Sequence, residues 1–215
     1  MKAAKLPLPQ SVVIPMAMHI GAPAKPVVKV GDHVKTGQLI GEAGGFVSAP
    51  IYASISGTVK KIGDMTNSMG RSMQYVEIES DGLDERWEGL HPPKLETMQD
   101  FLDAVRASGL VGLGGAGFPA HVKLNVPDDK AIDTLIVNVA ECEPYITSDH
   151  REALENGKNV LYGVYKIKEI LGVHRVLIAI EDNKPDAIEA LRTIADNREL
   201  DPNDEVRILP LRAMY

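Results

Sequence analysis

The stretch TLIVNVAECEP, residues 134–144, decides the fold of the second half of this chain. Its first six residues form an almost continuous apolar run, which predicts a strand in a sheet that is buried on both faces. The run leads into two carboxylates, Glu141 and Glu143, and Asn138 adds an amide just before them. Ligands of open parallel sheets gather at the carboxyl ends of strands, so this end is a candidate site for chemistry. The alternative is a solvated acidic loop.

The residues after this stretch continue an alternation of helices and strands. The pattern predicts a helix over 149–171 that is capped near Ser148 and ends at Gly172, a strand over 175–180, a helix from Pro185 to about Ala195, and a strand over 206–209. A β-α-β-α-β order with connections of this length is typical of a parallel, right-handed, Rossmann-like half-domain.

A glycine-rich loop, LVGLGGAGFPAHVKL, lies upstream at residues 110–124. Glycine takes positive φ easily and lets another group approach the backbone; the glycines here are Gly112, Gly114, Gly115 and Gly117. A loop of N–H groups that runs into a helix start binds phosphate well. Pro119 fits the first turn of such a helix, predicted to reach about Asn125, and Lys123 lies one turn on. The alternative is a plain glycine turn, and the pattern is not the dinucleotide motif, since no strand leads in.

The N-terminal half has a different pattern. Residues 12 to about 80 are rich in short β-prone runs, at 27–30, 38–40, 51–55, 58–62 and 75–78, separated by glycine turns. These runs predict a small sandwich or barrel. Residues 81–95 are predicted to form a linker in which Trp87 packs back onto a domain. A helix follows, with Thr97 and Asp100 spaced as in a capping box.

Composition and charge restrict the function further. The 215 residues are 44% hydrophobic and 25% charged, as in an ordinary globular chain, and the formal charge of −7 argues against nucleic-acid binding. The single cysteine, Cys142, forms no disulfide within the chain and suits a reducing cytoplasm. No apolar run approaches the roughly 20 residues of a membrane span. The six histidines lack metal-ligand spacing, so no metal site is expected.

Part of the N-terminal half resembles the barrel-sandwich fold of biotinyl and lipoyl carrier domains. The shared segments are KVGD at 29–32, VKTGQ at 34–38 and SGTV at 56–59. Carrier domains present a modifiable lysine on the hairpin before the last of these glycines, and Phe46 takes that position here. The resemblance therefore implies a rigid docking barrel, over residues 1–90, rather than a swinging-arm carrier.

Taken together, the chain is identified as a member of the RnfC family. The segments that carry the resemblance are HIGAPAKPVVKVGD, GEAGGFVSAPIYASISGTVKKI, SGLVGLGGAGFPAHVKL, LIVNVAECEPYITSDHR and AIEDNKPDAIEAL. RnfC is the peripheral subunit of the Rnf complex, an ion-pumping ferredoxin:NAD oxidoreductase. The flavin-bearing, NADH-oxidising subunit of respiratory complex I is similar at the glycine loop and at the NxxExEP strand end.

This resemblance implies a site for FMN and NAD(H). The glycine loop would cradle the FMN phosphate and the nicotinamide nucleotide, and its phenylalanine would stack on the nicotinamide or adenine ring. The implied cofactor-binding residues are Gly112, Gly114, Gly115, Gly117, Phe118, Lys123, Asn138 and Glu143, and the implied catalytic residue is Glu141. The mechanism implied by the resemblance is hydride transfer between NADH and FMN, followed by exchange of single electrons between the flavin and iron–sulfur clusters.

The resemblance also implies partners and a location. The full-length family carries two four-iron–four-sulfur clusters, for which this chain has no ligands. Its partners would be the other membrane and peripheral subunits of the complex, with ferredoxin indirectly, on the cytoplasmic side of the bacterial plasma membrane.

Three departures from the family pattern shape these expectations. Ala140 replaces an aspartate of the complex I subunit, a second glycine and glutamate loop would begin only at Tyr215, and no ferredoxin-like domain is present. The chain is expected to be a fragment, with 96–215 the first part of the flavin domain. It is expected to be inactive alone and to bind FMN weakly or not at all. The alternatives are a related cobalamin reductase of microcompartments and a non-catalytic docking module.

Overall fold

The computed structural model describes residues 2–127, 129–141, 143, 145–197 and 205–214. The chain divides into two compact units: Leu6–Pro127, and Met1–Lys5 together with Asp128–Tyr215. The division into domains 1–90 and 96–215 stays a prediction.

Two residues on which the sequence analysis relied lie outside the described residues. They are the lone cysteine, Cys142, and Tyr215, where the second family loop would begin.

Two small antiparallel sheets make up most of the unit Leu6–Pro127, called the barrel unit below. Its strands are β1 (Ser11–Pro15), β2 (Lys25–Pro26), β3 (His33–Val34), β4 (Leu39–Glu42), β5 (Ile51–Tyr52), β6 (Gly57–Thr66) and β7 (Ser72–Ser80). One sheet has the order β1-β7-β6-β3 and the other β2-β4-β5. Apolar side chains from both sheets share one core, which includes the fully buried Met16, Val34, Ile40, Val59 and Ile78. The predicted strand-rich sandwich is confirmed.

The predicted strand over 27–30 is wrong, because this segment runs into a turn. The Lys29 N–H donates to the Asp32 carboxylate at 2.7 Å, and the Asp32 N–H donates to the Lys29 carbonyl at 3.1 Å. Ladder pairing comes just before, where Lys25–Pro26 lies antiparallel to β4. An aspartate that bonds its own turn competes with a ladder and outweighs the β propensity of the valines.

The predicted linker, residues 81–95, is tied to the barrel. The backbone N–H of the half-buried Trp87 donates to the Thr36 carbonyl at 2.9 Å. The Lys35 ammonium pairs with Glu85 at 2.8 Å and with Glu88 at 3.0 Å. The linker therefore belongs structurally to the barrel unit, while the packing of its aromatic ring onto a domain stays a prediction.

Helix α1 covers Met98–Ala107 and starts with the predicted capping box. The Asp100 N–H donates to the Thr97 hydroxyl at 3.1 Å, while the Thr97 N–H donates to the Asp100 carboxylate at 2.9 Å. Hydrogen bonds from the Thr97 side chain and backbone lower the pKa of Asp100. The helix stops before Gly109, which has φ +69°, and a short helix α2 covers Ala120–Leu124.

A parallel sheet and three helices make up the second unit, called the parallel unit below. Its elements are β8 (Thr134–Val139), α3 (Ser148–Glu155), α4 (Gly157–Leu171), β9 (Arg175–Glu181), α5 (Pro185–Asp196) and β10 (Glu205–Leu211). The order of these strands is β10-β9-β8, and both pairs are parallel. The predicted parallel arrangement is confirmed, with Pro185 in the first turn of α5 and Gly172 in a left-handed C-cap of α4.

The helices cover one face of this sheet. Val176, Ile178 and Ile180 of β9 are fully buried in a core with residues of α4 and α5. On the opposite face, Ile136 of β8 is 67% exposed and Leu209 of β10 is 41% exposed. The prediction that β8 is buried on both faces is therefore wrong. Among the described strands β8 lies at the edge of the sheet, and its outward side chains have no helix above them.

The predicted single helix over 149–171 is two helices, α3 and α4. The break is at Asn156, with φ −125° and ψ 16°, which serves as the N-cap of α4. Gly157 follows, and a Cβ there would lie 3.0 Å from the Ile194 Cδ1 atom of α5. The apolar periodicity continues across the break, which is why the sequence pattern alone did not reveal it.

Within the described residues, no helix has the length and apolar character needed to cross a bilayer.

Candidate functional site

The glycine loop is closed at its base in the barrel unit. The Gly112 N–H donates to the Phe118 carbonyl at 2.9 Å, and the Ala120 N–H donates to the Leu110 carbonyl at 2.9 Å. Val111 and Pro119 form an antiparallel bridge between these two hydrogen bonds. The result is a hairpin-like loop whose tip, residues 113–116, is exposed.

This geometry corrects two expectations. Pro119 is the N-cap of α2, with an extended ψ of 125°, rather than part of the first helical turn. The Gly112 N–H is already hydrogen-bonded to the Phe118 carbonyl, which closes the loop, so it is not available to bind an anion. Since α2 is only five residues long, the loop itself, and not a helix dipole, is the main feature that remains for binding.

The glycines at the base and at the tip of the loop differ in the space around them. Gly117 has φ +67°, and a Cβ there would lie 2.8 Å from the Met18 carbonyl oxygen and 2.9 Å from the His19 Cα atom. The Ile20 N–H donates to the Gly117 carbonyl at 3.3 Å, which fixes the loop base against the chain that follows β1. In contrast, a Cβ at Gly114 or Gly115 would meet nothing within 4 Å. The base is packed and the tip opens onto free space.

Histidines of the barrel unit brace this base. The His19 Nε2 atom accepts from the Ala49 N–H at 3.2 Å, so its Nδ1 carries the proton that is donated to the Ile20 carbonyl at 3.0 Å. His121 of α2 is buried, and its Nε2 lies 3.3 Å from the carbonyl oxygen of Phe46. The Phe46 and His121 rings meet edge-on with centroids 6.3 Å apart.

The remaining predicted residues near the loop differ in exposure. Phe118 is half-buried, and Lys123 is exposed on α2. Leu113 at the loop tip is 92% exposed. The loop therefore presents an apolar side chain, two bare glycines and a nearby cation to solvent.

Glu141, in the parallel unit, is the most constrained of the predicted site residues. Its side chain is 2% exposed, and its Oε1 accepts from the Asp149 N–H at the start of α3 at 3.0 Å. Its Oε2 lies 3.6 Å from the Lys184 Nζ, and no described residue donates a hydrogen bond to it. Burial, and then the negative charge of Glu141, raise the pKa of Asp149.

Asn138 and Glu143 are placed differently from Glu141. Asn138 is exposed, and its Oδ1 accepts from the Ala140 N–H at 3.0 Å, which bends the chain at the end of β8. Glu143 is exposed, and Tyr145 is fully exposed with φ +68°. The strand end thus presents one buried and one exposed carboxylate.

The structure adds two residues that the sequence analysis did not assign to the site. Glu181 ends β9, its side chain is 8% exposed, and its Oε2 lies 3.9 Å from the same Lys184 Nζ that faces Glu141. Applying the strand-end rule to β9 as well as β8 would have found Glu181. Lys184 lies three residues later, and no motif or spacing in the sequence marks it as a site residue.

Comparison with known proteins assigns the family. A family model described as the Nuo51 FMN-binding domain matches residues 105–215, just over half of the chain, and it includes both the glycine loop and the strand end. The chain belongs to this family of FMN-binding domains. A second family model, described as the RnfC barrel sandwich hybrid domain, matches residues 1–83.

Curated relatives agree with both matches. The chain is 50% identical over 189 residues to a subunit of the proton-translocating ferredoxin:NAD(+) oxidoreductase complex of Clostridium ljungdahlii, and the match covers 86% of this chain and 41% of the relative. It is 46% identical over 188 residues to the counterpart from the Na(+)-translocating complex of Acetobacterium woodii, covering 85% of this chain and 42% of the relative. The chain spans about two fifths of the length of these relatives. The resemblance to the RnfC family is confirmed.

Proposed function

We propose that this chain supplies FMN- and nicotinamide-binding elements of a subunit that exchanges electrons between NAD(H) and iron–sulfur clusters. The complex is a membrane-bound, ion-translocating ferredoxin:NAD oxidoreductase. One observation carries the proposal: the FMN-binding domain match covers both the open glycine tip and the buried carboxylate at the end of β8. The names of the relatives support it, since each relative is a component of such a complex.

The residues of the loop fit a phosphate-bearing cofactor. FMN, when bound, supplies the conversion between hydride and single-electron transfer. Gly114 and Gly115 leave the space at the loop tip open, so a bulky group can approach the backbone there. Lys123 is exposed and adds positive charge on the helix that follows. In this proposal Phe118 stacks on the nicotinamide or adenine ring.

The strand end contributes hydrogen-bond acceptors. Glu141 is held from two sides, by the Asp149 N–H and by the Lys184 ammonium, so its free Oε2 keeps a fixed position. We assign it to the orientation of flavin and nicotinamide, with the exposed Glu143 beside it and the Asn138 amide toward FMN. A preorganised acceptor of this kind loses little entropy when a ligand binds.

The barrel has a structural task in this proposal. Phe46 takes the place of a carrier lysine and contacts the buried His121 immediately after the glycine loop. Gly117 at the loop base lies against Met18 and His19. These contacts support a barrel that fixes the nucleotide loop, while its remaining surface docks other subunits on the cytoplasmic side of the membrane. In this proposal the iron–sulfur clusters lie elsewhere in the subunit, as the resemblance to the RnfC family implies.

Titration of FMN and NADH onto the purified chain tests the proposal. We expect weak, saturable FMN binding, detected by flavin fluorescence, that falls by about tenfold or more in Gly114→Val, since a side chain then occupies the open tip. Gly163→Ala is the matched control, because Gly163 also has nothing within 4 Å of a Cβ but lies in α4. Equal FMN affinity in Gly114→Val and wild type would overturn the loop assignment.

A further inference from the structure

The ends of β8 and β9 hold a buried charge cluster that the proposed function does not yet use in full. Its members are Glu141, Glu181 and Lys184, whose side chains are 2%, 8% and 13% exposed. Ionised, the three carry two negative charges and one positive charge. Buried charges are normally paired and fully hydrogen-bonded, so the geometry of this cluster needs a physical reason.

Both carboxylates are left incompletely satisfied. The Lys184 Nζ is 3.6 Å from the Glu141 Oε2 and 3.9 Å from the Glu181 Oε2, which is within ion-pair range but too long for a hydrogen bond. Neither oxygen has a hydrogen-bond donor among the residues that the structure describes. One ammonium is therefore shared between two acceptors that each remain open.

The backbone holds the ammonium in this shared position. Lys184 is the N-cap of α5, and its N–H donates to the Glu181 carbonyl at 3.1 Å. The other oxygen of Glu141 is occupied by the Asp149 N–H. Glu141 is thus attached to α3 through one oxygen and drawn toward the start of α5 through the other.

We propose that Lys184 is the positioning residue of Glu141, and that Glu181 keeps the ammonium shared so that the Glu141 Oε2 stays open for a ligand donor. The donor is an N–H or O–H group of the bound nucleotide. Charge-assisted hydrogen bonds are normally about 2.7–2.9 Å long, so at 3.6 and 3.9 Å the ammonium does not satisfy either carboxylate oxygen. This inference rests on the proposed function for its ligand, but the positioning of Glu141 is testable without any ligand.

The ligand-free measurement is the Asp149 amide signal in a ¹H–¹⁵N spectrum of the whole chain. In Lys184→Met two buried carboxylates face each other without a cation, and Glu141 loses the ammonium that draws its Oε2 toward the start of α5. We expect the carboxylate to rotate about its hydrogen bond with the Asp149 N–H, so that the Asp149 amide signal shifts. Lys60→Met is the control, because it removes a lysine from an exposed pair with Glu79 in the barrel unit. An Asp149 amide that is unchanged in a folded Lys184→Met protein would overturn the positioning role.

A double variant that restores the charge balance of the cluster provides the second test. The variant Lys184→Met, Glu181→Gln removes one negative charge together with the positive one, so we expect it to recover much of the wild-type Asp149 signal. Without recovery, the effect of Lys184→Met is not electrostatic and the shared-cation role is refuted. If Lys184→Met alone unfolds, comparing Glu181→Gln with the double variant measures the effect of removing Lys184 when Glu141 is the only carboxylate that it faces.

Ligand titration separates this inference from the proposed function. NADH affinity should fall by about tenfold or more in Lys184→Met, the effect of one hydrogen bond to a charged group, and should recover in the double variant. If wild type binds neither NADH nor FMN, the proposed function fails, while the Asp149 amide still decides the positioning of Glu141. If wild type binds NADH and Lys184→Met binds it equally well, the assignment of Lys184 to the site fails alone.

Discussion

The glycine loop and the strand end, the two candidate binding regions, are held in place by different kinds of contact. The glycine loop belongs to the barrel unit, is exposed at its tip, and is fixed only at its base by the close contact of Gly117 with Met18 and His19. The strand end belongs to the parallel unit and is buried, with Glu141 held by a helix N–H and an ammonium. At the loop tip a ligand can approach the backbone because side chains are absent, whereas at the strand end a ligand meets a carboxylate that is held in place. Substitutions should therefore affect stability at the loop base and ligand binding at the loop tip and at Glu141.

The largest effect should come from Gly117→Val. The positive φ and the 2.8 Å approach to the Met18 carbonyl oxygen leave no room for a side chain. We expect a loss of about 2–4 kcal/mol in the free energy of unfolding, from left-handed strain and steric overlap. Gly114→Val should change it by less than about 0.5 kcal/mol. Urea denaturation compares the two, and equal losses would contradict the division into base and tip.

Glu141→Gln tests the strand end, where we expect an effect on ligand binding and catalysis. The amide keeps the shape of the side chain but removes the charge that Lys184 faces, so we expect NADH oxidation to slow by about tenfold or more in the assembled complex. Glu143→Gln is the control at an exposed carboxylate, with a smaller expected effect. An unchanged rate in Glu141→Gln would remove Glu141 from the site.

Tyr145→Gly should stabilise the chain. Tyr145 is fully exposed and has φ +68°, a conformation that favours glycine. Replacement loses no packing, and relief of left-handed strain should raise the free energy of unfolding by about 1 kcal/mol. Thermal and urea unfolding measure this, with Tyr162→Gly, an exposed tyrosine within α4, as a destabilising control. A destabilised Tyr145→Gly would show that this tyrosine makes contacts that hold the strand end.

The smallest effect concerns Asp149 and pH. Burial and the charge of Glu141 raise its pKa in the folded chain above the ordinary value of 3.8. The folded state therefore binds this proton more tightly than the unfolded state, and the stabilisation is lost as pH rises from about 3.8 through the raised pKa. Asp149→Asn should consequently be less sensitive to pH than wild type in this window. Urea unfolding from pH 3 to 7 checks the prediction, and identical pH profiles would contradict it.

Much of the fold follows from local rules that the sequence displays. The Thr97–Asp100 capping box, the Gly172 stop and Pro185 in the first turn of α5 depend on backbone chemistry within a few residues, and all three are confirmed. The break at Asn156 lies next to the close approach of Gly157 to Ile194 of α5, a tertiary contact that no local pattern contains.

In the candidate site, too, the features that depend on local sequence were predictable and those that depend on tertiary contacts were not. The strand end and the glycine loop are visible in the sequence because each is a short motif. The commitment of the Gly112 N–H to loop closure and the sharing of Lys184 between Glu141 and Glu181 arise from tertiary contacts. The exposed outer face of β8 likewise depends on its edge position, and an apolar run alone does not distinguish an edge strand from a central one.

Titration of FMN into the ¹⁵N-labelled chain tests the central claim most directly, because shifts in amide signals detect weak binding residue by residue. The claim is that the glycine loop and the strand end each take part in nucleotide binding. We predict a saturable shift of the signals of residues 113–117 and, measured separately, of those of Asn138, Glu141 and Glu143. A region without a saturable shift would be removed from the proposed function, and no saturable shift in either region would contradict the account.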